Sequence, residues 1–199
     1  MFNLPFSPAA DRNKDAILDQ LRALLPPQGT LLEVASGTGQ HVVWFAAALA
    51  QWQWQPTDAT ADTLPALAAR VAEAGLANVR APLRLDVLMP DWNVGSFDAI
   101  YCANMLHIAP WATCAALMRG SARHLAPGGQ LITYGPYLEE GVPTSPGNLA
   151  FDQSLRERDA AWGIRRLEDV KAQAAQAGLQ FKARHEMPAN NLLLVFGRG

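Results

Sequence analysis

Apolar positions along this chain switch between two periods. Over residues 11–25 they fall at Ile17, Leu18, Leu21, Leu24 and Leu25, the stripe of an amphipathic helix. Pro26-Pro27 ends that helix and Gly29 turns the chain. Residues 1–9 read as an irregular arm. A short apolar run over 30–35 then fits a buried strand, and a helical pattern at Val42, Val43, Phe45, Ala46 and Leu49 follows it. Residues 52–55 alternate apolar and polar and predict a second strand, closed by Pro56-Thr57-Asp58. A helix over 62–74 carries Pro65 in its first turn and stops at Gly75.

The alternation continues. Strands are predicted over 79–85, 97–103 and 130–134, with a helix from Pro110 and Trp111 to about residue 125 and a turn at Pro127-Gly128-Gly129. Residues 135–147 are rich in Gly, Pro, Ser and Thr, an insertion long enough to act as a lid. Two more helices, over 148–159 and 167–177, precede strands over 180–187 and 191–197 joined by Pro188-Ala189-Asn190. Strands alternating with helices imply an α/β fold, a doubly wound parallel sheet with helices on both faces and right-handed crossovers. Ligands of such sheets bind outside the carboxyl ends of the strands.

The first of those ends is the best-marked place in the chain. Glu33 closes an apolar run, Ala35-Ser36-Gly37-Thr38-Gly39 makes a turn of small residues, and a helix begins at once. A helix start offers free N–H groups and partial positive charge to an anion. The dinucleotide pattern G-x-G-x-x-G would need Gly where Val42 stands, and a P-loop would need Lys-Ser/Thr where Gln40-His41 stands. Ala35 at the first small position suits any turn with φ below zero. Asp58, 25 positions after Glu33, lies where an acid reads ribose hydroxyls.

Composition narrows the classes of partner. The chain has 199 residues, 17% of them charged, and net charge −2 with no basic block, which argues against nucleic acid. One domain over 1–199 is expected, with an N-terminal arm and helix over 1–29 and a lid over 135–165. Cys102 and Cys114 form no CxxC pair, and the scattered histidines show no metal-ligand spacing. No apolar run approaches the ~18 residues of a membrane span, and no signal peptide is visible, so a reduced cytoplasmic protein is expected.

Acid, glycine turn and terminal hairpin together resemble class I S-adenosylmethionine (SAM)-dependent methyltransferases. The blocks Ser7-Pro-Ala-Ala-Asp-Arg-Asn-Lys14, Glu33-Val-Ala-Ser-Gly-Thr-Gly-Gln-His41, Trp54-Gln-Pro-Thr-Asp58, Cys102-Ala-Asn-Met-Leu-His107, Trp162-Gly-Ile-Arg165 and Met187-Pro-Ala-Asn-Asn191 are similar to those of one methyltransferase-like family of largely unassigned substrate. The resemblance implies a Rossmann-like seven-stranded sheet of order 3-2-1-4-5-7-6 with strand 7 antiparallel. It also implies SAM as cofactor and methyl transfer to a small acceptor.

By that resemblance Glu33, Ala35, Ser36, Gly37 and Gly39 face the methionine part of SAM. Asp58 accepts from the ribose, Asp86 with Val87 meets the adenine, and Asn104 and Met105 border the cofactor. His107 is a candidate general base, since imidazole titrates near neutral pH. Arg12, Asn13, His107, Tyr134, Tyr137, Asn148, Arg156, Trp162 and Asn191 are candidates for the acceptor pocket. Two other functions fit the same pattern: a SAM-binding regulatory protein without turnover, and a nicotinamide-dependent oxidoreductase.

Overall fold

The computed structural model describes residues 4–198. Helix α1 (Pro8–Leu24) starts three residues earlier than the apolar stripe indicates. Ser7 caps it by accepting from the Ala10 N–H, and Pro8 supplies a pre-set φ at the first helical position. The expected arm is therefore helix from Pro8 onward. Strand β1 (Gly29–Val34) leads through the glycine turn into α2 (Gln40–Ala48), and β2 (Trp52–Asp58) into α3 (Leu64–Ala74).

The strand expected over 79–85 is broken. Only β3 (Leu83–Arg84) pairs with β2, and Val79 makes an isolated bridge to Trp54. Pro82 between them has no N–H to give to a ladder. Strand β4 (Phe97–Ala103), helix α4 (Ala112–His124) and the long β5 (Leu125–Leu138) follow. The turn expected at 127–129 is a bulge inside β5: Phe97 pairs with Leu125 while Ala99 pairs with Gln130. The chain ends with α5 (Pro146–Arg158), β6 (Arg165–Arg166), α6 (Leu167–Gln176), β7 (Leu179–Met187) and β8 (Asn191–Arg198).

The sheet order is β3-β2-β1-β4-β5-β8-β7, with β8 antiparallel to both neighbours. This is the expected 3-2-1-4-5-7-6 order. The two-residue β6, paired parallel to the far end of β5, shifts the numbering by one. A core lies on each face. Leu32, Val34, Ile100, Cys102 and Leu131 pack under α4 and α6, whereas Leu31, Ala99, Tyr101, Ile132 and Tyr134 pack under α1 and α2. Period-two alternation thus assigns each strand residue to one face. Among the described residues no helix is long and apolar enough to cross a membrane.

Candidate active site

Two cavities open at the carboxyl ends of β1, β2, β4 and β5. The first, about 650 Å³, is bounded by Glu33, the 35–38 turn, Asp58, Asp86, Val87, Asn104 and Met105. The second, about 690 Å³, is bounded by Arg12, Asn13, His107, Tyr134, Asn148, Phe151 and Asn191. Ser7, Asn104 and Ile108 line both, so the cavities meet at one rim. Both volumes suit small-molecule sites.

Glu33 is 2% exposed and sits at the end of β1, on the α1/α2 face of the sheet with Tyr101. One of its carboxylate oxygens is buried with no hydrogen-bond partner among the described residues. Burial raises its pKa from 4.5 to about 8. This is a carboxyl group that lacks a cation. Asp58 differs. Its Oδ2 accepts from the Gly37 N–H at 2.9 Å and its Oδ1 from the Thr60 N–H at 3.0 Å. It ties the end of β2 to the glycine turn and keeps spare lone pairs for a ligand hydroxyl. Asp86 closes its own turn by accepting from the Leu88 N–H at 2.9 Å.

The turn itself departs from expectation. Ala35 adopts φ 57, not the negative φ that alanine favours. Asn104, one of the three residues shared by both cavities, has φ 58, and Ala189 on the second cavity's wall has φ 59. Non-glycine residues in this region are strained by about 1–3 kcal/mol each and gather at functional sites. Gly39 has φ 74, and a Cβ there would lie 2.6 Å from Leu67 Cδ1. It allows α2 to approach α3 and is not among the residues that line the first cavity.

His107 is buried in the second cavity's wall, its ring edge-on to Phe151 with centroids 5.4 Å apart. Burial, and then the Arg165 guanidinium, lower its pKa to about 4. Arg165 is fixed by donating to the Leu106 and Ala109 carbonyls. Burial likewise lowers His41 to about 4, against the opposing pull of the Ala10 backbone. His41 Nε2 lies 2.7 Å from Asn13 Oδ1 and its Nδ1 3.4 Å from the Tyr101 hydroxyl. A neutral ring with its proton on Nε2 satisfies both contacts. Burial raises the Tyr134 phenol, and Asn13 beside it opposes the rise. Asn13 on α1 thus links the two cavities.

Asn148 and Asn191 line the second cavity largely as scaffolding. Asn148 Nδ2 donates to the Asn190 carbonyl at 2.8 Å and Asn191 Nδ2 to the Pro188 carbonyl at 2.9 Å. Three other expected pocket residues lie elsewhere. Tyr137 is on the opposite face from Tyr134, because their odd spacing in β5 puts it with the α4/α6 core, where its hydroxyl meets Thr133 Oγ1 at 2.9 Å. Arg156 turns to Asp152, one helical turn back, at 2.9 Å, and borders neither cavity. Trp162 lines the first cavity and not the second, with Arg158 over its ring.

A covering N-terminal helix is what the resemblance implies, but the bonds that hold this roof in place were not anticipated from the sequence. Gln40 accepts from the Ser7 N–H at 2.5 Å and donates to the Ser7 carbonyl at 3.3 Å. Arg70 donates to the Thr38 and Pro5 carbonyls, each at 2.6 Å. These bonds strap residues 5–10 across the glycine turn. A Ser-Pro helix start at 7–8 was the available signal for where the roof begins.

Sheet order, glycine turn and paired cavities at the strand ends define the class I SAM-dependent methyltransferase fold. Solved neighbours are of that class. They include the SAM-dependent methyltransferase SibL in its apo form, at 20% identity and TM-score 0.78 over 96% of this chain and 55% of that one. An O-methyltransferase family 2 protein from Planctomyces limnophilus DSM 3776, in complex with apigenin, shares 21% identity at TM-score 0.78 over 96% and 58%. CalO1, a methyltransferase of calicheamicin biosynthesis with S-adenosylhomocysteine (SAH) bound, shares 16% at TM-score 0.77 over 94% and 54%. The chain spans little more than half the length of each. It belongs to the family described as "Protein of unknown function (DUF938)", whose model matches residues 4–198.

Proposed function

We propose that this protein is a SAM-dependent methyltransferase that holds the cofactor in the first cavity and a small acceptor in the second. The observation that carries the reading is Glu33 on the wall of the first cavity, a carboxyl group with one buried oxygen that has no hydrogen-bond partner among the described residues. The α-ammonium of SAM is a cation of the right size and charge for it. The Ser36 and Gly37 N–H groups are already given to the Thr57 carbonyl and to Asp58, so the Ala35 and Thr38 N–H groups would face the cofactor carboxylate, Asp58 the ribose, and Asp86 with Val87 the adenine. SAM supplies an activated methyl on a sulfonium.

This chain's residues then have two tasks. The Ser7–Asn104–Ile108 rim brings acceptor and methyl together, and positioning of two reactants accounts for roughly 7–11 kcal/mol of a barrier. His107, neutral and with its conjugate acid disfavoured by Arg165, is a poor proton acceptor at neutral pH. It orients the acceptor by hydrogen bonding. This differs from the general-base role expected from sequence, and it favours an acceptor atom that needs no strong base. Activity is therefore expected to lack an acidic limb near pH 6.5, and a kcat/KM profile falling there with the slope of one proton would restore His107 as the base.

Thermal unfolding with SAM, SAH and NADH tests the cofactor assignment against the oxidoreductase alternative. SAM and SAH at a hundred times their Kd are expected to stabilise by about 2.7 kcal/mol, with no change from NADH. Stabilisation by NADH alone would overturn the reading.

A further inference from the structure

The second cavity has one ionised side chain among its described lining residues, and it is a cation. Arg12 stands on the first turns of α1, exposed at the outer mouth, and makes no salt bridge with a described carboxylate. The nearest acid in sequence, Asp11, is paired with Lys14. No Asp or Glu borders the cavity; its remaining polar groups are Ser7, Asn13, Asn104, His107, Tyr134, Asn148 and Asn191, all uncharged at neutral pH. The N-terminal turn of α1 adds its partial positive charge at Ser7 and Ala9, on the same wall. The walls between are flat and apolar: Phe151, the Tyr134 ring, Pro136 and Pro188.

We propose that the acceptor is a planar monocarboxylic acid, its carboxylate held by Arg12 at the mouth and its nucleophilic end at the Ser7–Asn104–Ile108 rim. The inference rests on the methyltransferase reading above. A single guanidinium matches one carboxylate with its two-pronged donor face. A phosphate dianion would call for a second positive charge, which the described lining does not offer, and an amine would meet only positive potential. Arg12 does not border the first cavity, so the anchor lies away from the methyl and the acid group is held apart from the reacting atom. Phe151 and Tyr134 would flank the acceptor ring, and His107 would set its tilt.

The test uses SAH-saturated protein and ligand-observed NMR titration. The probes are 4-hydroxybenzoate and 6-hydroxy-2-naphthoate, each beside its primary carboxamide and its aminomethyl analogue. At least one acid is expected to bind roughly ten- to a hundredfold tighter than its amide, with the amine weakest. Arg12→Gln is expected to remove that preference, and Arg12→Lys to restore it in part. SAH affinity, measured in the same samples, is expected to stay within about twofold in both variants, since one tenfold step is 1.4 kcal/mol and Arg12 touches no cofactor wall. Equal binding of acid, amide and amine, binding of none, or an acid preference that survives Arg12→Gln would overturn the proposal. If SAH itself does not bind, the methyltransferase reading fails; if SAH binds and the acid preference is missing, only this inference fails.

Discussion

Glu33 and Ala35 show how residue chemistry and residue strain meet at one turn. Glu33 carries a pKa near 8 where an unfolded chain gives 4.5. A raised carboxyl costs the folded state stability as pH rises above 4.5, and the cost levels off above 8. At pH 7 this amounts to about 3 kcal/mol, so Glu33→Gln is expected to stabilise the ligand-free protein by that order while weakening SAH binding. Chemical unfolding and SAH titration of the same variant check both halves. Ala35→Gly is expected to be neutral or stabilising by up to about 1 kcal/mol, because glycine accepts φ 57 without a Cβ clash, whereas Ala35→Val should destabilise. Urea midpoints of the two variants decide it. At this scale the sequence displayed which residue types gather at strand ends. It did not display φ, so Ala35 read as a relaxed turn residue. Tyr137 and Arg156 looked equivalent to Tyr134 and Asn148 until β5 parity and the Asp152 ion pair sent them elsewhere.

Elements were legible where period and punctuation agreed. The strands around β1 and β4 and the terminal hairpin follow from apolar runs, alternation and Gly/Pro stops. The broken strand at Pro82 and the bulge in β5 did not, because one missing N–H or one extra residue is decided by the neighbouring strand. The strap over the glycine turn was hidden for a related reason: Gln40 and Arg70 reach back 33 and 65 positions to Ser7 and Pro5. Gln40→Ala combined with Arg70→Ala is expected to expose amides of residues 5–13 to hydrogen exchange at least tenfold faster, with protection of β4 and β5 unchanged. Exchange that stays slow in 5–13 would show that packing of Ile17, Leu18 and Leu21 alone holds the roof.

Across the whole molecule, three buried groups shape stability against pH. His41 and His107, neutral in the fold with pKa about 4 against 6.5, withdraw stability as pH falls from 6.5 towards 4. Glu33 withdraws it as pH rises from 4.5 towards 8. Between 4.5 and 6.5 the two histidines outweigh the one acid, so these groups place the maximum of the ligand-free protein near pH 6.5. Saturating SAH should flatten the alkaline limb, since an ionised Glu33 beside an ammonium no longer carries a penalty. The alternation of elements indicated a parallel sheet with its cavities at the carboxyl ends of the strands, whereas the order of the strands came from the resemblance to class I methyltransferases. The second cavity was less legible, being assembled from α1, β5, α5 and the 188–191 turn. The most direct measurement is calorimetric titration of SAH near pH 7 in two buffers of different ionisation enthalpy. Binding that releases close to one proton, with the release abolished in Glu33→Gln, is the expected result. Absence of SAH binding, or binding whose affinity and proton release are both unchanged in Glu33→Gln, would contradict the assignment of the first cavity to SAM.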